Sequence, residues 1–131
     1  MFKEIEILDA ASVEALRAIA AAAPFVDGRI SNPHNRAKQN LQLHDAEAGK
    51  RSAEIVLRAL MANEIFRDFT FPASIAPPLL TRYTPGMRYG GHADAAYLQL
   101  PNGVLRSDIS CTVFLSDPAT YEGGALRITL G

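Results

Sequence analysis

The hydrophobic period of this chain changes once along its length, and that change limits the folds open to it. Up to about residue 63, apolar side chains recur at three- and four-residue steps. Val13, Leu16, Ile19, Ala20 and Ala23 share one face of a helix that Asp9 or Ser12 can cap and Pro24 closes. Ile55, Val56, Ala59 and Leu60 give the buried face of a second helix, expected from about Ala46 to Asn63. From Leu79 onward the period is two. "LLTRYT" ends at Pro85-Gly86, and "LQLPNGVLRSD" turns at Pro101-Asn102-Gly103. "DISCTVFLSD" sets Ile109, Cys111, Val113 and Leu115 against Ser110, Thr112 and Phe114. Residues 125–130 alternate again behind Gly123-Gly124. Helices first and short strands later, with no βαβ rhythm, predict an α+β fold with an antiparallel sheet or barrel in the second half.

Three stretches fall outside this pattern. "MFKEIEIL" alternates weakly and reads as a short opening strand. "VDGRISNPHNRAKQNLQL" reads as turn and loop with an extended end at Leu41 and Leu43. "FRDFTFPASIAPP" holds Pro72, Pro77 and Pro78, which suit a connection better than a central strand. There is no repeat, low-complexity tract or linker. One domain over 1–131 is expected, with a helical support region over about 1–75 and barrel strands over about 76–131.

Charge narrows the partners. Thirteen Lys and Arg against fourteen Asp and Glu leave a net charge of -1, so nothing points to nucleic acid or an anionic membrane. A single cysteine, Cys111, allows no internal disulfide and fits a reducing compartment; it reads as a small core residue. No apolar run is long enough to span a bilayer, and "MFKEIEILDA" lacks the apolar centre of a signal peptide. A cytoplasmic location is expected.

The chemistry concentrates in "YGGHADAAY", where His92 and Asp94 stand two apart behind paired glycines. In a strand, residues i and i+2 project from one face. An imidazole and a carboxylate side by side suit Fe(II), Mn(II) or Zn(II). They are two members of the two-histidine, one-carboxylate facial triad, which leaves positions open for a cosubstrate and oxygen. The dipeptide alone equally describes a surface histidine hydrogen-bonded to an aspartate.

The surrounding sequence separates those readings. "RYTPGMRYGGHAD", "RSDISCTVFLSDP" and "YEGGALRI" follow in order, preceded by "FVDGRI" and "KQNLQL". This set resembles the PKHD-type hydroxylases, a bacterial branch of the prolyl/lysyl hydroxylase-like Fe(II)/2-oxoglutarate dioxygenases, over nearly the whole chain. The resemblance implies two helices packed on a double-stranded β-helix, the jelly-roll-like barrel of that superfamily. It implies decarboxylation of 2-oxoglutarate coupled to C–H hydroxylation, with L-ascorbate keeping iron ferrous. It makes His92 and Asp94 the first two iron ligands and puts Tyr83 against 2-oxoglutarate, although a packed aromatic is the plainer role for Tyr83. Tyr89 either lines the pocket or packs. Ser110, Thr112 and Phe114 either face into the barrel or fill an ordinary core. Arg82, on the face opposite Tyr83, is expected in solvent. The substrate is a small molecule or a protein side chain.

The sequence also departs from the family. The family takes its second iron-binding histidine, and an arginine for the distal carboxylate of 2-oxoglutarate, from further downstream. Here no histidine follows Asp94, and His34 and His44 lie upstream in the polar half as exposed loop histidines. Arg106 and Arg127 lack the family's C-terminal context. A C-terminally truncated member is therefore expected, with little turnover of its own and an open sheet edge that a second copy could cover. The competing readings are a non-catalytic remnant barrel that serves as a binding or interaction module, and, more weakly, a zinc hydrolase, for which no HExxH arrangement exists.

Overall fold

A computed structural model describes residues 1–130. It is α+β, with helices and strands mixed in the first half. Helix α1 spans Ala10–Ala22, followed by strand β1 at Phe25–Asp27, a 3-10 turn at Gly28–Ser31, β2 at Lys38–Gln39 and β3 at Leu41–Leu43. Helices α2 and α3 span Ala46–Ala62 and Glu64–Thr70. Strands β4 (Thr81–Arg82), β5 (Arg88–Tyr89), β6 (Tyr97–Leu100) and β7 (Gly103–Arg106) follow, with a second 3-10 turn at Pro118–Thr120.

Local chemistry explains the helix ends. The Asp9 side chain accepts from the Ser12 N–H at 2.7 Å and starts α1. Asp45 does the same for α2 through the Ala48 N–H at 2.8 Å. Between these two helices Leu16, Val56 and Leu60 pack with Phe66 of α3 into the main core, and Leu16 alone is fully buried. A second cluster of Ile19, Leu43 and Ala48, flanked by Phe25 and Leu80, joins the helices to the sheet.

Among the described residues the strands form three small antiparallel sheets, none of them a closed barrel. In the first, β3 lies between β1 and β4, with Phe25 opposite Leu43 and Leu41 opposite Arg82. In the second, β2 pairs with β5, Lys38 opposite Tyr89. The third is the β6–β7 hairpin, closed at the turn expected at Pro101-Asn102-Gly103, with Gly103 at φ 132°.

Several expectations need correction. Among the described residues there are three α-helices, not two. The segment read as an aromatic connection is helical from Glu64 because Asn63 caps it, its side chain accepting from the Phe66 N–H at 2.8 Å. "MFKEIEIL" forms no ladder among the described residues, since no strand edge faces it; Ile5, Ile7 and Leu8 instead pack on the main core. The alternating stretch 108–117 and the stretch 125–130 likewise pair with no strand, although Val113 and Leu115 still turn inward onto the helices. Cys111 is exposed rather than in the core. Arg82 is half-buried rather than free in solvent: its guanidinium donates to the Ala20 carbonyl at 2.6 Å and stacks 4.0 Å from the centroid of Phe25. The last turn of α1 holds no basic residue of its own, so Arg82 supplies the cation favoured at a helix C-terminus. Among the described residues no helix is long and apolar enough to cross a membrane.

Two measurements check this architecture. Leu16→Ala should lower stability by about 2–5 kcal/mol in urea unfolding, because the cavity opens where helices α1 and α2 meet. The second concerns the turn after β1, where Arg29 donates side-chain and backbone N–H groups to Asp27 and holds its pKa down at about 2. A depressed carboxylate pKa stabilises the fold above the ordinary value of 3.8, and this is lost as pH falls toward 2. Asp27→Asn should therefore flatten the stability–pH curve between about pH 4 and pH 2, read by circular dichroism in urea at stepped pH.

Candidate metal site

The chain leaves β5 at Tyr89 and runs through Gly90-Gly91 to His92 in an extended segment without a ladder. His92 and Asp94 therefore do not sit in a strand, but they still converge. His92 Nε2 lies 3.3 Å from Asp94 Oδ1. The Gly90 carbonyl accepts from His92 Nδ1 at 2.7 Å and so fixes the proton on that nitrogen. A neutral ring then presents the Nε2 lone pair to a carboxylate oxygen. Two acceptors at that distance repel each other unless a proton or a cation lies between them. Donors 3.3 Å apart also have the spacing of neighbours on one ion with bonds of roughly 2.0–2.2 Å.

The pair is braced on both sides. Tyr89 stacks on the His92 ring, with centroids 3.6 Å apart and planes 17° from parallel. The second Asp94 oxygen accepts from the Ser110 hydroxyl at 2.6 Å. Ser110 belongs to the face of 108–117 opposite Val113 and Leu115, so one extended segment serves the helices with one face and the site with the other. His92 keeps about a third of its side chain exposed and Asp94 more than half. Both can reach a ligand.

A polar row from β2 and β3 stands behind the pair. Lys38, Asn40 and Gln42 are buried, on alternating positions. Asn40 Nδ2 donates to the Tyr83 hydroxyl at 3.1 Å, and Asn35 Nδ2 donates to the Tyr89 hydroxyl at 2.8 Å. Burial, with Asp94 and Tyr83 nearby, holds the Tyr89 pKa above its ordinary value, so this phenol keeps its proton. Lys38 donates to the Ser31 hydroxyl at 2.8 Å, and burial lowers its pKa, with Asp27 partly opposing the shift. Asn40 Oδ1 is buried, has no partner among the described residues, and lies against Gly28. Turning the amide over would leave an N–H orphaned in its place.

Tyr83 is half exposed rather than packed, with its hydroxyl held by Asn40. His34 and His44 are exposed and stay away from the pair. Among the described residues no group of three His, Cys, Asp or Glu side chains gathers as a metal cage. The chain thus offers two metal donors with Ser110 behind one of them. Sequence reasoning missed Asn35, Lys38, Asn40 and Gln42. The signal was present, because polar residues at 38, 40 and 42 share one strand face, which is unusual for a buried edge. Two shallow surface concavities lie elsewhere, along α1 and α2, lined by Ala15, Ala18, Arg51 and Arg58 in one case and by Ser12, Ala59 and Asn63 in the other.

The α+β fold turns an imidazole and a carboxylate toward one point, a pair that could contribute to holding a metal ion. Sequence comparison makes this more specific. No protein-family model matches the chain. A PKHD-type hydroxylase of Sphingopyxis alaskensis is 63% identical over all 131 residues, which cover 100% of this chain and 60% of that protein. One from Stenotrophomonas maltophilia is 44% identical over 128 residues, 95% of this chain and 57% of that protein. One from Thioalkalivibrio sulfidiphilus is 37% identical over 126 residues, 94% of this chain and 56% of that protein. The chain belongs to the PKHD-type hydroxylase family and spans less than two thirds of the length of these relatives.

Gly28 tests the polar row. A Cβ there would run into the Asn40 side chain and press on its backbone oxygen, and Asn40 is pinned in the interior. Gly28→Ala should cost about 1–3 kcal/mol in urea unfolding and shift the Tyr83 ring signals in NMR, while Gly91→Ala, with open space around its Cβ, changes neither.

Proposed function

We propose that the chain carries the first two metal ligands of an Fe(II)- and 2-oxoglutarate-dependent hydroxylase, His92 through Nε2 and Asp94 through Oδ1. The observation that carries this reading is the meeting of those two atoms at 3.3 Å with His92 Nδ1 occupied by the Gly90 carbonyl. An imidazole and a carboxylate on one side of an ion, with other positions free, suit Fe(II) better than a closed zinc cage. Hydroxylase relatives over the whole chain support the same class.

Bound there, Fe(II) would supply the oxidising chemistry that couples 2-oxoglutarate decarboxylation to C–H hydroxylation, with L-ascorbate as reductant. The protein groups do the rest. The Gly90 carbonyl keeps Nε2 free of its proton. Ser110 holds Asp94 so that one carboxylate oxygen faces the metal. Stacking of Tyr89 fixes the imidazole plane. Tyr83 offers a hydroxyl to the cosubstrate. The family's barrel is the fold in which these segments would close, and the β6–β7 hairpin with the alternation over 108–130 agrees with it. The substrate is a small molecule or a protein side chain.

A second reading is a non-catalytic binding module. It is favoured by the number of exposed apolar side chains in the second half, Tyr97, Ile109, Phe114, Leu126 and Ile128 among them, and a homo-oligomer that covers some of them belongs with it. Metal binding separates the two.

Anaerobic addition of Fe(II) and 2-oxoglutarate to the purified chain should give the visible charge-transfer band of a chelated iron–oxoacid complex, and His92→Ala should remove it. A chain that takes up no iron, or whose iron content is the same in His92→Ala, sinks the oxygenase reading and leaves the binding module.

A further inference from the structure

Lys38 is the most buried cation described, with only 8% of the residue exposed, yet no carboxylate lies within ion-pair distance of it among the described residues. The nearest acid is already engaged: Asp27 is held by Arg29 at 2.7 Å. The ammonium makes one side-chain hydrogen bond, to Ser31 Oγ at 2.8 Å, so two of its three protons have no protein acceptor there. A buried ammonium without a counter-charge is costly.

Its cross-strand neighbour has a matching surplus. Lys38 and Tyr89 are register partners in the β2–β5 ladder, and the ammonium lies 5.8 Å from the Tyr89 ring centroid. The Tyr89 hydroxyl already accepts from Asn35 Nδ2. That amide cannot be turned over, because Asn35 Oδ1 accepts from the Ala37 N–H at 3.0 Å. The phenol proton is therefore the part of the hydroxyl left to offer, and no protein acceptor takes it among the described residues. Tyr89 is also the ring on which His92 stacks, and Lys38 is its ladder partner.

We propose that Lys38 Nζ and the Tyr89 hydroxyl form a carboxylate-binding pair on the wall of the His92–Asp94 site, and that its ligand is a carboxylate of the oxoacid cosubstrate. The ammonium contributes charge and the phenol contributes direction, a donor set with no competing acid in it. This rests on the reading of His92 and Asp94 as a metal site that takes an oxoacid, but the pair itself needs no metal to bind.

The test is therefore made in a chelator, with 2-oxoglutarate titrated into the full chain and followed by NMR. Wild type should show saturable binding, with shifts at Lys38 and Tyr89. Lys38→Met, which keeps the apolar stem, should weaken it by about tenfold or more. Tyr89→Phe, which keeps the stack on His92, should weaken it severalfold. The dimethyl ester of 2-oxoglutarate, without charge, should not bind. No saturable binding to wild type, or wild-type affinity in folded Lys38→Met and Tyr89→Phe, overturns the proposal. Iron content measured separately keeps the two readings apart: Lys38→Met should retain His92-dependent iron uptake, whereas failure of the metal reading would leave metal-free binding of 2-oxoglutarate in place.

Discussion

The short antiparallel ladder between β2 and β5 holds the candidate site against the rest of the chain. It brings residues 88–89 onto 38–39 across some fifty positions of sequence and is extended by the Gly90 N–H donating to the Ala37 carbonyl at 2.7 Å. The position suits a glycine, since a Cβ at Gly90 would come within 3.3 Å of the Ala37 Cβ. The same glycine then turns its own carbonyl to His92 Nδ1. One residue thus closes the ladder with its N–H and selects the histidine tautomer with its C=O. The orientation of Nε2 follows from backbone geometry before any neighbouring side chain acts on it.

Around that ladder the helices have an indirect role. Leu16, Val56, Leu60 and Phe66 form the interior, and Leu43 and Leu80 carry it into the β1–β3–β4 sheet. Arg82 ties β4 to the end of α1. Since β3 follows β2 after a single residue, Asn40, whatever fixes β3 also fixes the polar row at 38, 40 and 42. The packing energy lies in the helices, and the candidate site is held by strands too short to be stable alone.

Much of this was legible in the residues. The stripe through Leu16 and Ile19 with a cap at Asp9 gave α1, and the period through Val56 and Leu60 gave α2 over about Ala46 to Asn63, because periodicity and capping are local; the Asp45 cap of α2 is seen only in the structure. "PNG" gave the turn of the β6–β7 hairpin for the same reason. Helix α3 was obscured by its aromatics and the prolines after it, although Asn63 and Glu64 form a good N-terminus. The strands expected over 108–117 and 125–130 show where pattern stops being sufficient: alternation says which side faces inward, and Val113 and Leu115 obey it, but a ladder also needs a partner edge. In the site, the spacing of His92 and Asp94 was informative and their pairing is seen, as is the turn of Ser110 toward Asp94. Lys38 and Asn40 were hidden because buried polar residues look like loop residues until the long-range pairing of β2 is known.

The stack of Tyr89 on His92 also has an optical consequence. The chain has no tryptophan and only four tyrosines, so its intrinsic emission comes from very few rings. One of them lies flat against the proposed ligand at a centroid distance of 3.6 Å. Protonation of that imidazole, or an open-shell ion on it, changes the surroundings of an emitter already in van der Waals contact. Tyrosine fluorescence is thus a built-in reporter of the state of His92, with no label to disturb the small strands that hold it.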